Sequence, residues 1–393
     1  MDKKIHIGFI CHEYPPCNHG GIGSFTKDLA EGLVKAGFNV SVIGIYASSI
    51  LDIKEAVKEE ISGVKVFRFP EHKRYKRTQF NILHERWNLY TYIKKLHKDN
   101  PFHLIESPES QGWLPFGTPE NIPFVTRFHG GEAYFGKELH RLSSRLSKIL
   151  EKMQLKHSDE LISVSDYTAR VTLDIFNLKR PYTVIYNSIK IPENISNADH
   201  YISKQRIVFT GSVIPKKGVS ELVKAMNIIF KQYSEAELYI AGKNEYKIDG
   251  IAFMDMMLDS LDKEEYKKRI KFLGAVDRET VLFPLLVSAE VCCFPSYSEA
   301  FALTPLESMA IGKAVVFSKL SSGPEVIENG VSGLLCNPAD PEDIAKKIAF
   351  YFDNPKRAFE IAKNGKKRVE EKFSYDKWIE QNINMYREII NEN

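Results

Sequence analysis

Residues 5–45 read IHIGFICHEYPPCNHGGIGSFTKDLAEGLVKAGFNVSVIGI, and this stretch decides the fold. It begins with an apolar run, Ile5–Cys11, that predicts a β-strand, and a second such run follows at Asn39–Ile45. Between them, Ser24–Ala36 has the length and pattern of a helix that ends at Gly37. A strand, a helix and a second strand in this order predict a βαβ unit of a parallel sheet.

The same alternation of apolar runs and amphipathic segments continues along the chain. Further strands are predicted in the first half at Val64–Phe69, His103–Glu106, Phe124–Phe128, Glu160–Val164 and Tyr182–Tyr186. The strands predicted in the second half are Arg206–Thr210, Glu237–Ala241, Ile270–Leu273, Glu290–Phe294 and Ala314–Phe317. A long helix is predicted from about Lys137 to His157, because its apolar residues recur every three or four positions. We therefore expect an α/β protein with two doubly wound parallel sheets of the Rossmann type.

Chain length and one polar stretch predict two domains. A chain of 393 residues is too long for one ordinary core, and the polar stretch 191–204 predicts the linker. The first Rossmann-like domain is expected at 1–190 and the second at 205–375. A last helix, at 376–393, is expected to pack back on the first domain. Doubly wound sheets bind ligands at the carboxyl ends of their strands, so the two domains are expected to face a central cleft.

Composition narrows the class of protein. Apolar residues make up 43% and charged residues 27%, an ordinary globular balance. The net charge is +6 over 1–190 and −3 over 191–393, so the first half either meets an anionic partner or only carries charge for solubility. The five cysteines form no CxxC pair or metal-ligand spacing. Since the chain starts with a strand rather than a signal peptide and has no run of ~18–20 apolar residues, we expect it in the cytoplasm, at most peripheral on the membrane.

A glycine-rich loop, residues 13–24, follows the first predicted strand and opens a helix. Gly20, Gly21 and Gly23 allow the backbone there to approach a ligand, and the N–H groups at a helix start favour an anion. Their spacing is not that of the dinucleotide-binding fingerprint, and no acidic residue is well placed to hold a ribose. This counts against a dehydrogenase.

A second loop, residues 209–218 (FTGSVIPKKG), lies between a strand and a helix of the second half. Lys216 and Lys217 come just before the helix start, where positive charge is unfavourable for the helix itself. A bound phosphate would reverse that effect. The loop therefore predicts a phosphate site, with a solvated lysine pair as the alternative.

A third loop begins the stretch FPSYSEAFALTPLESMAIGKAVV, residues 294–316, and holds two carboxylates. Glu299 follows a strand, and Glu307 lies eight residues later in an apolar helix. A carboxylate can accept hydrogen bonds from two vicinal hydroxyls, which a ribose or a hexose presents. Because Leu306 and Met309 flank Glu307, an ordinary surface position is a weaker interpretation for it.

Four stretches together resemble the retaining family-four glycosyltransferases of the GT-B fold, the glycosyl transferases of group 1. They are YPP…GGIG near the start, GSVIPKKG, the 294–316 stretch and SGPEVIENGVSGLLCNPADPEDIAKKI at 322–348. The resemblance spans nearly the whole chain. It implies an acceptor-side first domain and a second domain that binds a nucleotide-sugar donor, UDP-, GDP- or ADP-linked, with UDP or GDP favoured. The acceptor would be a glycan, lipid-linked or other hydroxyl compound, as in the synthesis of cell-surface polysaccharide or glycoconjugates.

The resemblance also implies roles for single residues. Glu307 is similar to the ligand of the ribose, Glu299 to that of the donor sugar, and Lys217 to that of the diphosphate. His129 resembles the first-domain histidine that contacts the donor sugar, so His129, Glu299 and Lys217 are the candidate catalytic residues. Further donor contacts are implied for Gly20, Gly21, Gly23, Gly211, Ser212, Ala300, Phe301, Ala302 and Leu303.

The resemblance implies transfer with retention, by attack on the face that the leaving phosphate departs from, with that phosphate as the base. No cofactor, metal or protein nucleophile is implied. The sequence has no Asp-x-Asp pair, which fits a site that neutralises the diphosphate with lysines and helix N-termini.

Three departures from the family pattern leave two functions open. Ser212 stands where the family usually has an arginine, and alanines stand at 300 and 302 in place of glycines. The usual glycine–acid–glycine turn reads Gly242-Lys243-Asn244, so Lys243 is a candidate substitute for the missing charge. The chain is then an active transferase or a weakened homologue that acts as a partner subunit or sugar-binding protein. A sugar-nucleotide 2-epimerase is disfavoured by the setting of the two glutamates.

The segment 72–98 is rich in basic residues and aromatics. It predicts either a surface that meets anionic lipid and places a lipid-linked acceptor, or a solvated helix with aromatic core contacts. Nothing else in the sequence supports nucleic-acid binding, so we expect none.

Overall fold

The structure, a computed structural model, describes residues 4–17, 20–71, 78–190 and 202–392. The chain divides into two compact units, residues 1–186 with 376–393 and residues 187–375, which we call the first and the second domain. Residues 191–201 of the predicted linker and residues 72–77 of the basic segment lie outside the described residues.

The first domain contains an eight-stranded sheet. Its strands are β1 (His6–Ile10), β2 (Asn39–Tyr46), β3 (Val57–Ile61), β4 (Val64–Pro70), β5 (Leu104–Pro108), β6 (Phe124–Phe128), β7 (Glu160–Ser163) and β8 (Thr183–Val184). Their order is β3-β4-β2-β1-β5-β6-β7-β8, and only β3 runs antiparallel to its neighbour. The direction of winding reverses between β1 and β5, so the loops that follow these two strands leave the sheet edge side by side.

The helices of the first domain cover the sheet. They are α1 (Gly21–Lys35), α2 (Thr78–Asp99), α3 (Glu132–Glu138), α4 (Arg145–His157) and α5 (Asp166–Phe176), with a 3-10 turn at Pro119–Asn121. Helix α1 begins three residues before the predicted Ser24, which places Gly21 and Gly23 inside its first turn.

The single helix predicted from Lys137 to His157 is wrong, because the chain breaks into α3 and α4 there. His140 has a φ of 50°, in the left-handed region that a helix cannot continue through. The side chain of Ser144 then accepts a hydrogen bond from the N–H of Ser147 and caps a new helix. Leu142, which fits the predicted apolar stripe, lies fully exposed between the two helices.

The second domain contains a six-stranded parallel sheet. Its strands are β9 (Arg206–Thr210), β10 (Glu237–Ala241), β13 (Ile270–Gly274), β14 (Val291–Phe294), β15 (Ala314–Ser318) and β16 (Leu334–Cys336), and a small hairpin is formed by β11 (Lys247–Ile248) and β12 (Ile251–Ala252). The order of the sheet is β13-β10-β9-β14-β15-β16, and the winding reverses between β9 and β14. The predicted α/β class, with two doubly wound parallel sheets, is confirmed.

Among the described residues, eight helices follow in the second domain, and a ninth lies at the end of the described chain. They are α6 (Val219–Gln232), α7 (Phe253–Asp259), α8 (Glu264–Lys267), α9 (Phe283–Ser288), α10 (Leu303–Ala310), α11 (Gly323–Val326), α12 (Pro341–Asp353), α13 (Pro355–Lys372) and α14 (Tyr375–Glu392). A 3-10 turn at Pro215–Lys217 precedes α6, and a π-helical turn at Arg278–Leu282 precedes α9. Within the described residues, no helix combines the length and the apolar character needed to cross a bilayer.

Helix α14 is joined to the first domain by a buried ionic network. The guanidinium of Arg127, on β6, donates to both carboxylate oxygens of Glu106, at 2.7 and 2.9 Å, and to the side chain of Asn382, at 2.6 Å. The hydroxyl of Tyr386 donates to Glu106 at 2.7 Å. A charge buried in this way is tolerated only when it is paired and hydrogen-bonded, so the last helix supplies groups that the sheet of the first domain requires.

Candidate active site

The loops after β9 and β14 touch because Gly218 has no side chain. A Cβ on Gly218 would lie 1.8 Å from the carbonyl oxygen of Pro295, and its φ of 65° is in the left-handed region. The N–H of Tyr297 also donates to the carbonyl oxygen of Lys216, at 2.8 Å. The two loops that the sequence singles out in the second half are therefore fixed against each other at the reversal point of the sheet.

This contact places Lys217 beside Glu299. The Nζ atom of Lys217 lies 2.5 Å from Oε1 of Glu299, whose side chain is only 12% exposed. Burial alone would raise the pKa of Glu299, but the charges of Lys217 and Lys216 lower it below its ordinary value. Glu299 is therefore ionised at neutral pH, and two of the three predicted catalytic residues form one ion pair.

Glu307 is paired with an arginine that sequence reasoning missed. Its side chain, on α10, is 4% exposed, and its Oε1 lies 2.6 Å from Nη2 of Arg278. Burial raises the pKa of Glu307, and the charge of Arg278 opposes that rise. Arg278 is the first residue of the π-helical turn before α9. The carboxylate of Asp277 caps the start of that turn. That cap can be recognised in the sequence, but no spacing rule pairs Arg278 with a residue 29 positions later.

Two helices of the second domain begin after these loops. Helix α6 starts after Gly218 and helix α10 after Ala302, and neither capping residue makes a side-chain hydrogen bond to its helix. Ala300, Phe301 and Ala302 are buried, and Leu303 is the first residue of α10. Their N–H groups lie where an anion would be stabilised by the helix dipole.

The turn after β10 lies against the loop after β9. A Cβ on Gly242 would lie 1.8 Å from the carbonyl oxygen of Gly211, and the N–H of Val213 donates to the carbonyl oxygen of Lys243 at 2.8 Å. Ser212 is exposed. Lys243 is therefore attached to the loop in which Ser212 replaces the family's usual arginine.

The glycine-rich loop of the first domain already holds an anion of its own. The two carboxylate oxygens of Glu13 accept hydrogen bonds from the N–H groups of Gly20, at 3.1 Å, and Gly23, at 2.8 Å. This carboxylate occupies the N-terminus of α1, where a negative charge is favourable. Gly21 has open space where a side chain would be. A phosphate at this loop would have to share these N–H groups with the carboxylate of Glu13 or displace it. Glu13 therefore competes with a donor phosphate for the predicted contacts of the three glycines.

His129 follows β6 and is held through its backbone and its ring. Its N–H donates to the buried carboxyl group of Glu109 at 2.8 Å, and the edge of Phe25 meets its ring with centroids 4.5 Å apart. Burial, together with the nearby charge of Arg127, lowers the pKa of His129 to about 3. The imidazole is therefore neutral at physiological pH and acts as a hydrogen-bonding group rather than a cation. Burial raises the pKa of Glu109 to about 8.

Helix α3, which follows His129, has a buried acidic cap. The carboxylate of Glu151 accepts hydrogen bonds from the N–H groups of Gln111, Glu132 and Ala133, at 2.8–3.1 Å. The first domain thus neutralises the N-termini of both α1 and α3 with its own carboxylates. In the described chain, no group of three or more His, Cys, Asp or Glu side chains is arranged to hold a metal ion.

Sequence models of two families match consecutive parts of the chain. The family described as Glycosyltransferase Family 4 matches residues 19–191, and the family described as Glycosyl transferases group 1 matches residues 191–368. This chain belongs to the group 1, family-four glycosyltransferases. Lys216, Lys217, Lys243, Glu299 and Glu307 lie inside the group 1 match.

Known proteins resemble this glycosyltransferase over nearly its full length. An uncharacterised glycosyltransferase of Methanocaldococcus jannaschii is 29% identical over 403 residues, which cover 98% of each chain. Sucrose-phosphate synthase from Thermosynechococcus elongatus has a TM-score of 0.80 at 21% identity and covers 99% of this chain and 100% of its own. HepE of Anabaena, solved in complex with UDP-glucose, has a TM-score of 0.71 at 16% identity and covers 99% and 100%. The structural likeness shows that the glycosyltransferase has the GT-B fold.

The substitution Arg278→Gln is expected to raise the pKa of Glu307 and leave the fold intact. The guanidinium is the charge that opposes the effect of burial on this carboxyl group, and its side chain is 49% exposed, so glutamine can replace it without a cavity. The measurement is a carboxyl ¹³C titration of glutamate-labelled protein, with Glu307→Gln identifying the resonance. Arg357→Gln removes an exposed arginine paired with Glu360 and is the matched control. An unchanged pKa of Glu307 in Arg278→Gln would show that the pair does not persist in solution.

Proposed function

We propose that this glycosyltransferase moves a sugar, with retention of configuration and without a metal, from a UDP- or GDP-linked donor to a hydroxyl group of a glycan or lipid-linked acceptor. The observation that carries the proposal is the paired cluster at the reversal point of the second sheet. There Lys217 contacts Glu299 at 2.5 Å, and Glu307 lies eight residues further along the same loop and helix. HepE, which shares the fold, is solved with UDP-glucose.

Each part of the cluster suits one part of a nucleotide sugar. We assign the ribose hydroxyls to Glu307 and the donor-sugar hydroxyls to Glu299. A carboxylate can accept hydrogen bonds from two hydroxyl groups, and such charge-assisted bonds are strong. Lys217 and the N-termini of α6 and α10 would neutralise the diphosphate, whose charge grows as the sugar leaves. Ser212 and the backbone from Ala300 to Leu303 would add N–H donors, whereas the N–H of Gly211 already donates to the carbonyl oxygen of Ala241 at 2.9 Å. The role of His129 at the donor sugar stays a prediction.

In this proposal, retention follows from attack on the face from which the leaving group departs, so no protein nucleophile is required. The acceptor oxygen forms its bond to the anomeric carbon on the face from which the phosphate oxygen leaves, and the departing phosphate takes the acceptor's proton. The residues of the cluster then contribute by positioning the donor and stabilising the developing charge.

The alternative is a weakened homologue that binds a sugar nucleotide as a partner subunit. Ser212 favours it, because a serine cannot replace the two-pronged phosphate contact of an arginine. The backbone attachment of Lys243 to the same loop argues against it, since that lysine is a candidate to supply the missing charge.

A donor panel tests the proposed function. We expect the purified chain to release sugar slowly from one UDP- or GDP-linked hexose in excess EDTA, and ¹H NMR of the first product is expected to show the donor's own anomer. Glu307→Gln should lower the rate at least about tenfold, because a charge-assisted contact is worth about 1.5–3 kcal/mol, while Glu360→Gln, an exposed position, should not. Binding of nucleotide without turnover of any donor would favour the weakened homologue. Turnover that needs added Mg²⁺ or Mn²⁺ would contradict the metal-free mechanism.

We further propose that helix α2 contacts an anionic membrane surface. Phe80, Leu83 and Trp87 are exposed and lie three and four positions apart, on one face of the helix. Lys94 and Lys95 are exposed on later turns. Exposed aromatic side chains next to lysines suit the interface of an acidic bilayer.

Vesicle sedimentation tests the membrane contact with a matched pair of variants. Phe80→Ser, at a side chain 52% exposed on α2, should reduce binding to vesicles of phosphatidylcholine and phosphatidylglycerol by about threefold or more. Phe359→Ser, at a side chain 71% exposed on α13, should bind like the parent. Equal binding of both variants, or equal binding of the parent to neutral vesicles, would contradict this contact.

A further inference from the structure

The imidazole ring of His129 is oriented by packing rather than by a hydrogen bond. The backbone N–H of His129 donates to Glu109, but among the described residues no hydrogen bond holds either nitrogen of the ring. The residue is half-buried, so its ring has a packed side and an open side. Rotation about the last side-chain bond of a histidine has broad minima, and the contact on the packed side therefore has to set the direction of the ring.

The orientation of this ring decides its chemistry. A neutral imidazole donates a hydrogen bond from one nitrogen and accepts one at the other. If the ring of His129 turned over, a donor would stand where a ligand meets an acceptor. A half-buried imidazole that has no hydrogen bond of its own within the described chain thus depends on the shape of its surroundings to present the correct nitrogen.

Phe25, on α1, is the side chain that packs against this ring. Its edge meets the imidazole of His129 with centroids 4.5 Å apart and planes at 71°, an arrangement that aromatic pairs favour. Phe25 is only 7% exposed. Its ring also lies 5.1 Å from the guanidinium carbon of Arg127 and 5.3 Å from the indole of Trp378, at 74°. In such a close-packed setting, the place of Phe25 depends on Arg127 and Trp378.

Helix α14 fixes both of these neighbours of Phe25 from one of its faces. Trp378, Asn382 and Tyr386 are buried and follow one another at intervals of four residues, so they lie in a row along the helix. The side-chain oxygen of Asn382 accepts from Arg127 at 2.6 Å, and its amide group donates to the carbonyl oxygen of Trp378 at 2.7 Å. The row that pairs with Arg127 therefore also places the indole against Phe25.

We propose that Phe25 and Trp378 are positioning residues for His129. In this proposal, α14 presses Trp378 against Phe25, and Phe25 sets the direction in which the imidazole presents its nitrogens to the donor sugar. The inference rests on the proposed contact between His129 and that sugar. It goes beyond the proposed function because it gives α14, which follows the second domain in the sequence, a part in the transfer step.

Nuclear magnetic resonance of ¹³C-histidine-labelled protein tests the positioning directly. The ring Cδ2–H and Cε1–H resonances of His129, identified with His129→Gln, depend on the place of the nearby aromatic rings. We expect Trp378→Leu, which keeps a good helix former, to move them, and Trp378→Phe, which keeps an aromatic ring, to restore most of the parent position. Phe25→Leu removes the contact from the side of α1 and should move them at least as far.

Ile389→Ala is the matched control for stability. Ile389 is also buried on α14, at 2% exposure, and lies about 16 Å further along the helix axis than Trp378. Its truncation should lower the melting temperature, as Trp378→Leu does, but leave the His129 resonances in place. Parent-like resonances in both Trp378→Leu and Phe25→Leu, or an equal movement in Ile389→Ala, would overturn the proposal.

Turnover of the donor gives the functional readout on the same variants. We expect Trp378→Leu to lower kcat at least about tenfold with KM for the donor within about twofold of the parent, because a turned imidazole is lost chiefly to the transition state. Trp378→Phe should recover most of this loss, and Ile389→Ala should keep the parent kcat. A fall in kcat that follows the melting temperature alike in all three variants would show a structural role only and overturn the proposal.

The two readouts keep this inference separate from the proposed function. If the parent turns over no donor, the proposed function fails, while the resonances of His129 still decide whether Phe25 and Trp378 orient its ring. If the parent is active and these resonances do not move in the variants, the positioning alone is rejected.

Discussion

Two buried carboxylates at the edge of the second sheet have to be paired with cations, and the loops around them are arranged to meet this requirement. An unpaired carboxylate in such a place would lose its charge or destabilise the fold. Lys217 reaches Glu299 because Gly218 lets its loop touch Pro295, and Arg278 reaches Glu307 from the turn before α9. The glutamates are thereby kept ready to accept hydroxyl groups.

Helices α1 and α3 of the first domain have acidic caps, which α6 and α10 of the second domain lack. In the first domain, Glu13 caps α1 and Glu151 caps α3, so the positive ends of these helices are already neutralised. In the second domain, α6 and α10 start after Gly218 and Ala302, which provide no such cap. In the proposed function, the diphosphate would lie at Lys217 and at the starts of α6 and α10, where the capping residue makes no side-chain hydrogen bond. The first turn of α6 also contains the acidic residue Glu221.

Local patterns were enough to predict the fold, and a resemblance was enough to select the glutamates. Apolar runs at β1, β2, β9 and β14 mark buried parallel strands, whose position depends on burial alone. The edge strand β3 (Val57–Ile61) was not predicted, because a half-exposed antiparallel strand lacks such a run. The single helix predicted over 137–157 is wrong for a different reason. A periodic apolar pattern continues through this segment, but it does not reveal that one residue within it has a positive φ and breaks the helix.

Contacts between distant parts of the chain could not be predicted. Nothing in the sequence pairs Arg278 with Glu307, or places the carboxylate of Glu13 on the N–H groups of Gly20 and Gly23, because each contact depends on where separate loops are carried by the sheet.

The central claim is that the diphosphate of the donor is recognised by Lys217 in the second domain. Calorimetric titration of UDP and GDP on the parent, Lys217→Ala, Lys243→Ala and the exposed surface control Lys224→Ala tests it most directly. We expect Lys217→Ala to lose at least about tenfold in affinity, because a phosphate contact of a partly buried lysine is worth about 2 kcal/mol or more. We expect Lys224→Ala to bind like the parent. If Lys217→Ala binds both nucleotides like the parent while Lys243→Ala does not, the phosphate lies at the turn after β10 and the claim is wrong.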